Sequence, residues 1–287
     1  MKMLVTGISG QLGYWLAEIG EESCEIFGTY LTRHVEGNNF RIDLSERDSA
    51  FSLVERIRPY CVVHCAAASR VEFCEQNKNE AWRVNVTATK NIADACAKYS
   101  AKLIFISTDY VFGGREGGMY TEDDIPNPVN YYGKTKMAGE EIALSLPASL
   151  VVRPSLIFSL FPGNYAYSIL QKLKSGAVSV ATDMLATPTP APELARAILH
   201  SAEKDLAGII HFAGATRISR YEFTKKLAET FGYDPAMIRP AKAFEIGFTA
   251  PRPGDTSLDT SKAAGLGLRF PSVDNALDDL KKQRMQI

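Results

Sequence analysis

No apolar run in this chain approaches the roughly 18 to 20 residues that a membrane-spanning helix needs; the longest runs read as buried strands. Charge of one sign is also missing. The formal net charge is −1 over 287 residues, so there is no polybasic field to attract nucleic acid or an anionic membrane. Cysteine is scarce. Cys24, Cys61, Cys65, Cys74 and Cys96 are the only five. An odd number, all near the start of the chain, argues against a disulfide framework and for a reducing, cytoplasmic setting. His34, His64, His200 and His211 show no metal-ligand spacing, so they read as structural or solvated and no metal is expected. There is no internal repeat and no low-complexity tract. A strand pattern already runs from Met1 to Thr6, which predicts that no signal peptide is present.

What is there belongs to a globular α/β protein. Apolar residues make up 46% and charged residues 23% of the chain, ordinary proportions for that class. Short apolar strands are expected at Met3 to Thr6, Glu25 to Thr29, Cys61 to Cys65, Leu103 to Ser107 and Ser149 to Arg153. Helical stretches alternate with them at Gln11 to Ile19, Ser49 to Ile57, Glu80 to Lys98 and Lys134 to Ser145. Strands that are apolar on both faces and alternate with helices predict a doubly wound parallel sheet. Cys61 and Cys65 fall within one of these strands, where packing by small hydrophobes is the plain reading; the spacing is not that of a CxxC metal or redox pair.

After residue 155 the pattern changes. Pro188, Pro190 and Pro192 punctuate it, and the expected elements are a strand at Ala177 to Ala181, a helix at Glu193 to Lys204, a strand at Gly208 to Phe212, a helix at Arg220 to Phe231 and a last helix at Ser272 to Lys282. This tail is not expected to extend the sheet. The predicted division is a dinucleotide-binding Rossmann domain, residues 1–158 plus about 178–205, and a smaller α/β substrate-binding domain, about 159–177 plus 206–287. The smaller domain would lie over the C-terminal strand ends, where open α/β sheets bind ligands.

The first strand runs into Gly7-Ile8-Ser9-Gly10-Gln11-Leu12-Gly13, then a helix. A helix N-terminus carries free N–H groups and partial positive charge, and glycines let the backbone approach a pyrophosphate closely. The second strand ends Gly28-Thr29-Tyr30-Leu31-Thr32-Arg33, without the acid that binds the 2′-hydroxyl of NAD. Thr32 and Arg33 suit a 2′-phosphate, favouring NADP(H) over NAD(H); a solvated Arg33 is the plainer alternative. Asp43, beside Leu44, is placed either to meet the adenine amino group or to cap the helix after it.

Tyr132 and Lys136 form YxxxK and share a helix face. An ammonium beside a phenol lowers its pKa toward a working range, making Tyr132 a general acid or base. With 12 tyrosines in the chain, such a spacing also arises by chance. Thr108 follows a central strand, placed to hydrogen-bond a reacting carbonyl, though it also suits a turn cap.

Taken together, these segments make the chain resemble the extended short-chain dehydrogenases/reductases, and within them the dTDP-4-dehydrorhamnose reductase family. The resemblance covers essentially the whole chain. It rests on Leu4-Val5-Thr6-Gly7 with GxxGxxG, His64-Cys65-Ala66-Ala67-Ala68, Val71-Glu72-x-Cys74-Glu75, Asn85-Val86 and Ser107-Thr108-Asp109-Tyr110-Val111-Phe112-Gly113. It continues through Pro128-x-Asn130-x-Tyr132-Gly133-Lys134-Thr135-Lys136, Thr187-Pro188-Thr189 and Arg252-Pro253-Gly254-Asp255. It implies NAD(P)H-dependent reduction at C4 of a nucleotide-linked 4-keto-6-deoxy sugar. Tyr132 would protonate the alkoxide, Lys136 tune Tyr132 and hold the nicotinamide ribose, and Thr108 orient the carbonyl. The implied cofactor site adds Ser9, Gln11, Leu12, Cys65, Ala66, Ala67, Ala68 and Asn85 to the glycines. The implied substrate site comprises Thr108, Asp109, Tyr110, Leu156 and Arg252. The implied partner is a sugar nucleotide, and a homodimer is left open.

The sequence departs from that family in the segment after Arg153. Leu156 stands where a Trp is expected, Ser159 where a Gly is expected, and Met184 where a Gln follows Asp183. Two other readings therefore stay open. One is a non-catalytic NADP-binding protein like the regulatory β subunit of methionine adenosyltransferase, which also lacks the Trp. The other is a sugar-nucleotide epimerase, which would retain bound NAD.

Overall fold

The computed structural model describes residues 1–284. Strands β1 (Lys2–Thr6), β2 (Glu25–Tyr30), β3 (Asn39–Arg41), β4 (Cys61–His64), β5 (Lys102–Ile106), β6 (Leu150–Arg153) and β7 (Gly208–His211) build one seven-stranded sheet. Its order is β7-β6-β5-β4-β1-β2-β3, with every neighbouring pair parallel. This is a Rossmann-like doubly wound sheet. Its order reverses beside β1, so a crevice opens at the C-terminal end of that strand.

Alternation along the strands feeds two cores. Met3, Val5, Cys61, Val63, Ile104, Val152 and Ile210 pack on one face with Leu16 of helix α1 (Gln11–Gly20) and with Leu194 and Ile198 from the 191–203 helix. Leu4, Val62, Leu103, Phe105 and Val151 pack on the other with Leu53 and Val54 of α2 (Arg47–Ile57) and with Ile92 and Cys96. Both faces are covered, which is why the strands read as continuous apolar runs rather than alternating ones.

The long helix expected at Glu80 to Lys98 is three pieces. After α3 (Val71–Gln76) come α4 (Lys78–Trp82), a π-helical turn (Arg83–Thr87) and α5 (Ala88–Tyr99). Helix α6 (Tyr131–Leu144) follows β5 and carries the YxxxK pair.

A third core lies beyond the sheet. Phe158, Leu173, Val180, Phe223, Leu227, Ile238 and Leu277 join α7 (Tyr165–Leu173), α9 (Arg220–Thr230) and α10 (Val273–Arg284) to the strand pair Val178–Ala181 and Ile238–Ala241. Two elements differ from the expected division. Gly208–His211 does extend the main sheet, pairing with β6 after α8 (Ala191–Glu203) returns the chain across its face. Val178–Ala181 instead pairs within the smaller unit. Strand pairing is non-local, so a short apolar run does not disclose which sheet it joins. Among the described residues, no helix is long and apolar enough to cross a membrane.

Candidate active site

A cleft of about 1040 Å³ runs along the C-terminal ends of β1, β2, β4, β5 and β6 and is closed on its far side by residues of the smaller unit. Its floor begins at the glycine loop. Gly7 has φ +69°, and a Cβ there would stand 2.8 Å from the Ala66 Cα. At Gly13 a Cβ would stand 2.5 Å from the Gly7 carbonyl oxygen and from the Ile8 Cα. Gly10 caps α1 without any side-chain hydrogen bond, and the first turn holds no acid. The positive helix end is thus left open to an anion. The Gln11 amide Nε2 beside it is buried without a hydrogen-bond partner. These residues fit a dinucleotide pyrophosphate.

Gly7, Ser9, Gly10, Gln11, Leu12, Gly13, Thr32, Arg33, Asp43, Leu44, Cys65, Ala66 and Ala67 all line the cleft. Ala68 and Asn85 do not. Asn85 is buried in the π-helical turn, one layer behind. Its Oδ1 accepts from the Ala68 N–H (2.7 Å), and its Nδ2 donates to the Ala68 carbonyl (3.1 Å) and the Thr135 hydroxyl (2.9 Å). Asn85 therefore clamps the loop after β4 to α6. Asp43 is not the helix cap, a position that Glu46 holds. It accepts from the Ser45 N–H and from Arg83 (2.7 Å). Burial works to raise the Asp43 pKa, but these bonds outweigh it and hold the carboxyl below its ordinary range.

The reacting groups come together because α6 packs closely on its neighbours. Asn130 caps it, accepting from the Gly133 N–H (2.9 Å). A Cβ at Gly133 would sit 2.1 Å from the Tyr110 carbonyl, and one at Gly139 would sit 2.5 Å from the Phe105 ring. This close approach places Tyr132 and Lys136 in the cleft beside Thr108. Burial pushes the Tyr132 phenol well above its ordinary pKa, opposed by a hydrogen bond from Thr108. The sequence-based expectation of a lowered phenol is overturned, because desolvation is the larger effect here. Burial also lowers Lys136, to about 8, while Glu140 one turn along pulls it back up. The Lys136 Nζ sits 4.1 Å from the centre of the Phe105 ring.

Thr108 takes the turn-cap role and also lines the cleft. Its Oγ1 faces the cleft and also caps the Asp109–Val111 turn, accepting from the Tyr110 N–H (3.2 Å). Asp109 also lines the cleft, and its oxygens accept from three protein hydroxyls: Thr108 (3.1 Å), Ser155 (2.8 Å) and Thr256 (2.6 Å). Tyr110, Leu156 and Arg252 line the cleft. Leu156 is left-handed, with φ 38°, a conformation rare for a branched side chain.

Several neighbours went unread in the sequence. Glu140 and Arg153 form a buried pair (2.7 Å), with the Ser107 hydroxyl on the same carboxylate (2.5 Å). The available signal was Glu140 one helical turn after Lys136 together with an Arg closing an apolar strand. Arg220, over the Tyr165 ring at 4.9 Å, and Lys172 face the cleft from the smaller unit. Arg252 reaches Glu72 of α3 (2.5 Å). From Pro154 onward the lining includes Lys172, Arg220 and Arg252 and no carboxylate.

Residues 1–285 match the family described as RmlD substrate binding domain. The chain belongs to that family. A solved hypothetical dTDP-4-dehydrorhamnose reductase from Sulfolobus tokodaii is 36% identical, with TM-score 0.89 over 97% of this chain and 98% of that one. A dTDP-4-dehydrorhamnose reductase from Bacillus anthracis str. Ames, solved in complex with NADP, is 28% identical, with TM-score 0.89 over 98% and 99%. Methionine adenosyltransferase 2 subunit beta from Xenopus tropicalis is 30% identical over 94% of this chain and 84% of its own. The RmlD-family chain is thus an oxidoreductase of the extended short-chain dehydrogenase/reductase type, with the Rossmann-like fold of its solved relatives.

Proposed function

We propose that this protein reduces the C4 keto group of a nucleotide-linked 4-keto-6-deoxy sugar, using NADP(H) in preference to NAD(H), as in the making of dTDP-L-rhamnose. One observation carries the reading. The hydroxyls of Thr108 and Tyr132 stand between a phosphate-ready glycine loop on one side and a wall with cationic but no anionic side chains on the other. A sugar nucleotide has this polarity: a reducible sugar at one end and an anionic diphosphate behind it.

A nicotinamide cofactor, when bound, would supply the hydride for the carbonyl carbon. The protein's own groups do the rest. The uncapped start of α1 would hold the pyrophosphate, the glycines before it letting the group approach closely. Lys136 would hold the nicotinamide ribose. Thr108 orients the carbonyl oxygen. Tyr132, kept protonated by burial, donates its proton to the developing alkoxide, so its raised pKa suits the reductive direction. Lys172, Arg220 and Arg252 attract the diphosphate.

The test is a panel of 4-keto-6-deoxy sugar nucleotides with NADPH, followed by loss of reduced-nicotinamide absorbance. Tyr132→Phe should abolish turnover and leave cofactor binding nearly intact; retained turnover would remove the assignment. A regulatory role is the second reading, favoured by the 30% identity to the Xenopus subunit and by Leu156. Capture of a methionine adenosyltransferase with no turnover across the panel would favour it.

A further inference from the structure

The segment between Phe158 and α7 belongs by sequence to the sugar side of the cleft, yet it closes against the cofactor side. It is a self-bonded turn. The Ser159 Oγ accepts from the Phe161 N–H (3.1 Å). Asn164, the α7 cap, donates through Nδ2 to the carbonyls of Ser159 (2.9 Å) and Phe161 (2.5 Å). Gly163, at φ +90°, lets the chain reverse between them. The turn sets the Phe161 ring against two residues of the nucleotide-binding half. Its centre lies 5.6 Å from that of Tyr14 on α1 and 5.1 Å from the Arg33 Cζ.

Arg33 makes no ion pair or hydrogen bond among the described residues, so the Phe161 ring is the feature that orients it. Both residues line the cleft next to Thr32. A guanidinium is planar. A ring beneath one face fixes that plane and leaves the N–H edge free for a phosphate. A ring offers no such help toward a neutral hydroxyl.

We infer that Phe161 is a specificity-determining residue for the cofactor: stacked on Arg33, it sets the guanidinium edge toward the 2′-phosphate of NADP(H). This rests on the reading of the cofactor as NADP(H). The sequence offered no sign of it, since Phe161 is more than a hundred residues from Arg33 and lies in a segment expected to serve the sugar.

The experiment is calorimetric titration of the full chain with NADP+ and with NAD+. The variants are Phe161→Ala, Phe161→Leu, Phe161→Tyr, Arg33→Ala and the double change Arg33→Ala with Phe161→Ala. Phe161→Ala and Phe161→Leu should weaken NADP+ by about two- to five-fold, the scale of an exposed cation–π contact, and leave NAD+ unchanged. Phe161→Tyr should keep the wild-type ratio. In the Arg33→Ala background, removing the ring should not change the ratio further. Equal losses for both cofactors would reduce Phe161 to packing and overturn the proposal. Tighter NADP+ binding by Phe161→Ala would also overturn it, by showing that the ring competes for Arg33. A wild-type preference for NADP+ that is undiminished in both Phe161→Ala and Phe161→Leu sinks the inference alone. A wild-type protein with no preference sinks the NADP(H) reading, and the inference with it.

Discussion

Among the reacting groups, Lys136 is the one whose charge burial brings toward the working range. Its ammonium is nearly sealed from water, and burial brings it down to about 8, even with Glu140 one turn away. Tyr132 moves the other way and stays protonated across the neutral range. A lowered lysine of this kind gives up its positive charge as pH rises through about 8. Because kcat/KM reports the groups of the free enzyme, it should fall on the alkaline side with an apparent pKa near 8. A profile that stays flat well beyond that pH would show that the Lys136 charge is not needed. YxxxK was legible because i and i+4 share a helix face whatever the fold. The direction in which Tyr132 shifts was not, because it depends on how much water the finished cleft excludes. Asp109 makes the same point. Its place after β5 was readable, but its three hydroxyl partners come from Thr108, Ser155 and Thr256, the last of these distant in the chain.

At the scale of elements, α6 is held from three sides. Its glycines admit the Tyr110 carbonyl and the Phe105 ring, Asn85 reaches Thr135, and Glu140 ties it to β6 and β5. Glu140→Gln would leave the Arg153 charge buried and unpaired. Such a loss is strongly destabilising, by about 3–5 kcal/mol, and should lower the denaturant midpoint accordingly. A variant as stable as the parent would mean that water or His211 satisfies Arg153. The five long apolar strands were legible to within a residue or so, since burial on both faces writes itself as a continuous run. The three-residue β3 and the sheet membership of β7 were not. Their pairing partners lie elsewhere in the chain, and nothing local records them. The π-helical turn also escaped, because one extra residue in a helical turn leaves the apolar spacing nearly unchanged.

For the molecule as a whole, the cleft is shared between a sheet that presents strand ends and a smaller unit that presents cations. A ligand that binds only this assembled cleft stabilises it by mass action. NADP+ at a hundred times its Kd should add about 2.7 kcal/mol and raise the melting temperature by several degrees, whereas NAD+ at the same concentration should add less. Equal shifts would contradict the preference assigned to Thr32 and Arg33.

Read by itself, the sequence determined the parallel sheet, the glycine loop at the start of α1, the Thr108, Tyr132 and Lys136 set, and the absence of an acid after β2. All of these are local patterns, set by helix or strand period and by what glycine permits. Only the tertiary structure decided that Asn85 clamps the loop after β4 to α6, that Asp109 gathers the hydroxyls of Thr108, Ser155 and Thr256, that Lys172 and Arg220 join Arg252 on the far wall, and that Phe161 lies on Arg33. Those contacts join segments far apart along the chain, and packing alone brings them within reach. The glycine loop was therefore readable before the fold was known, whereas the sugar side of the cleft took shape only once the smaller unit was in place.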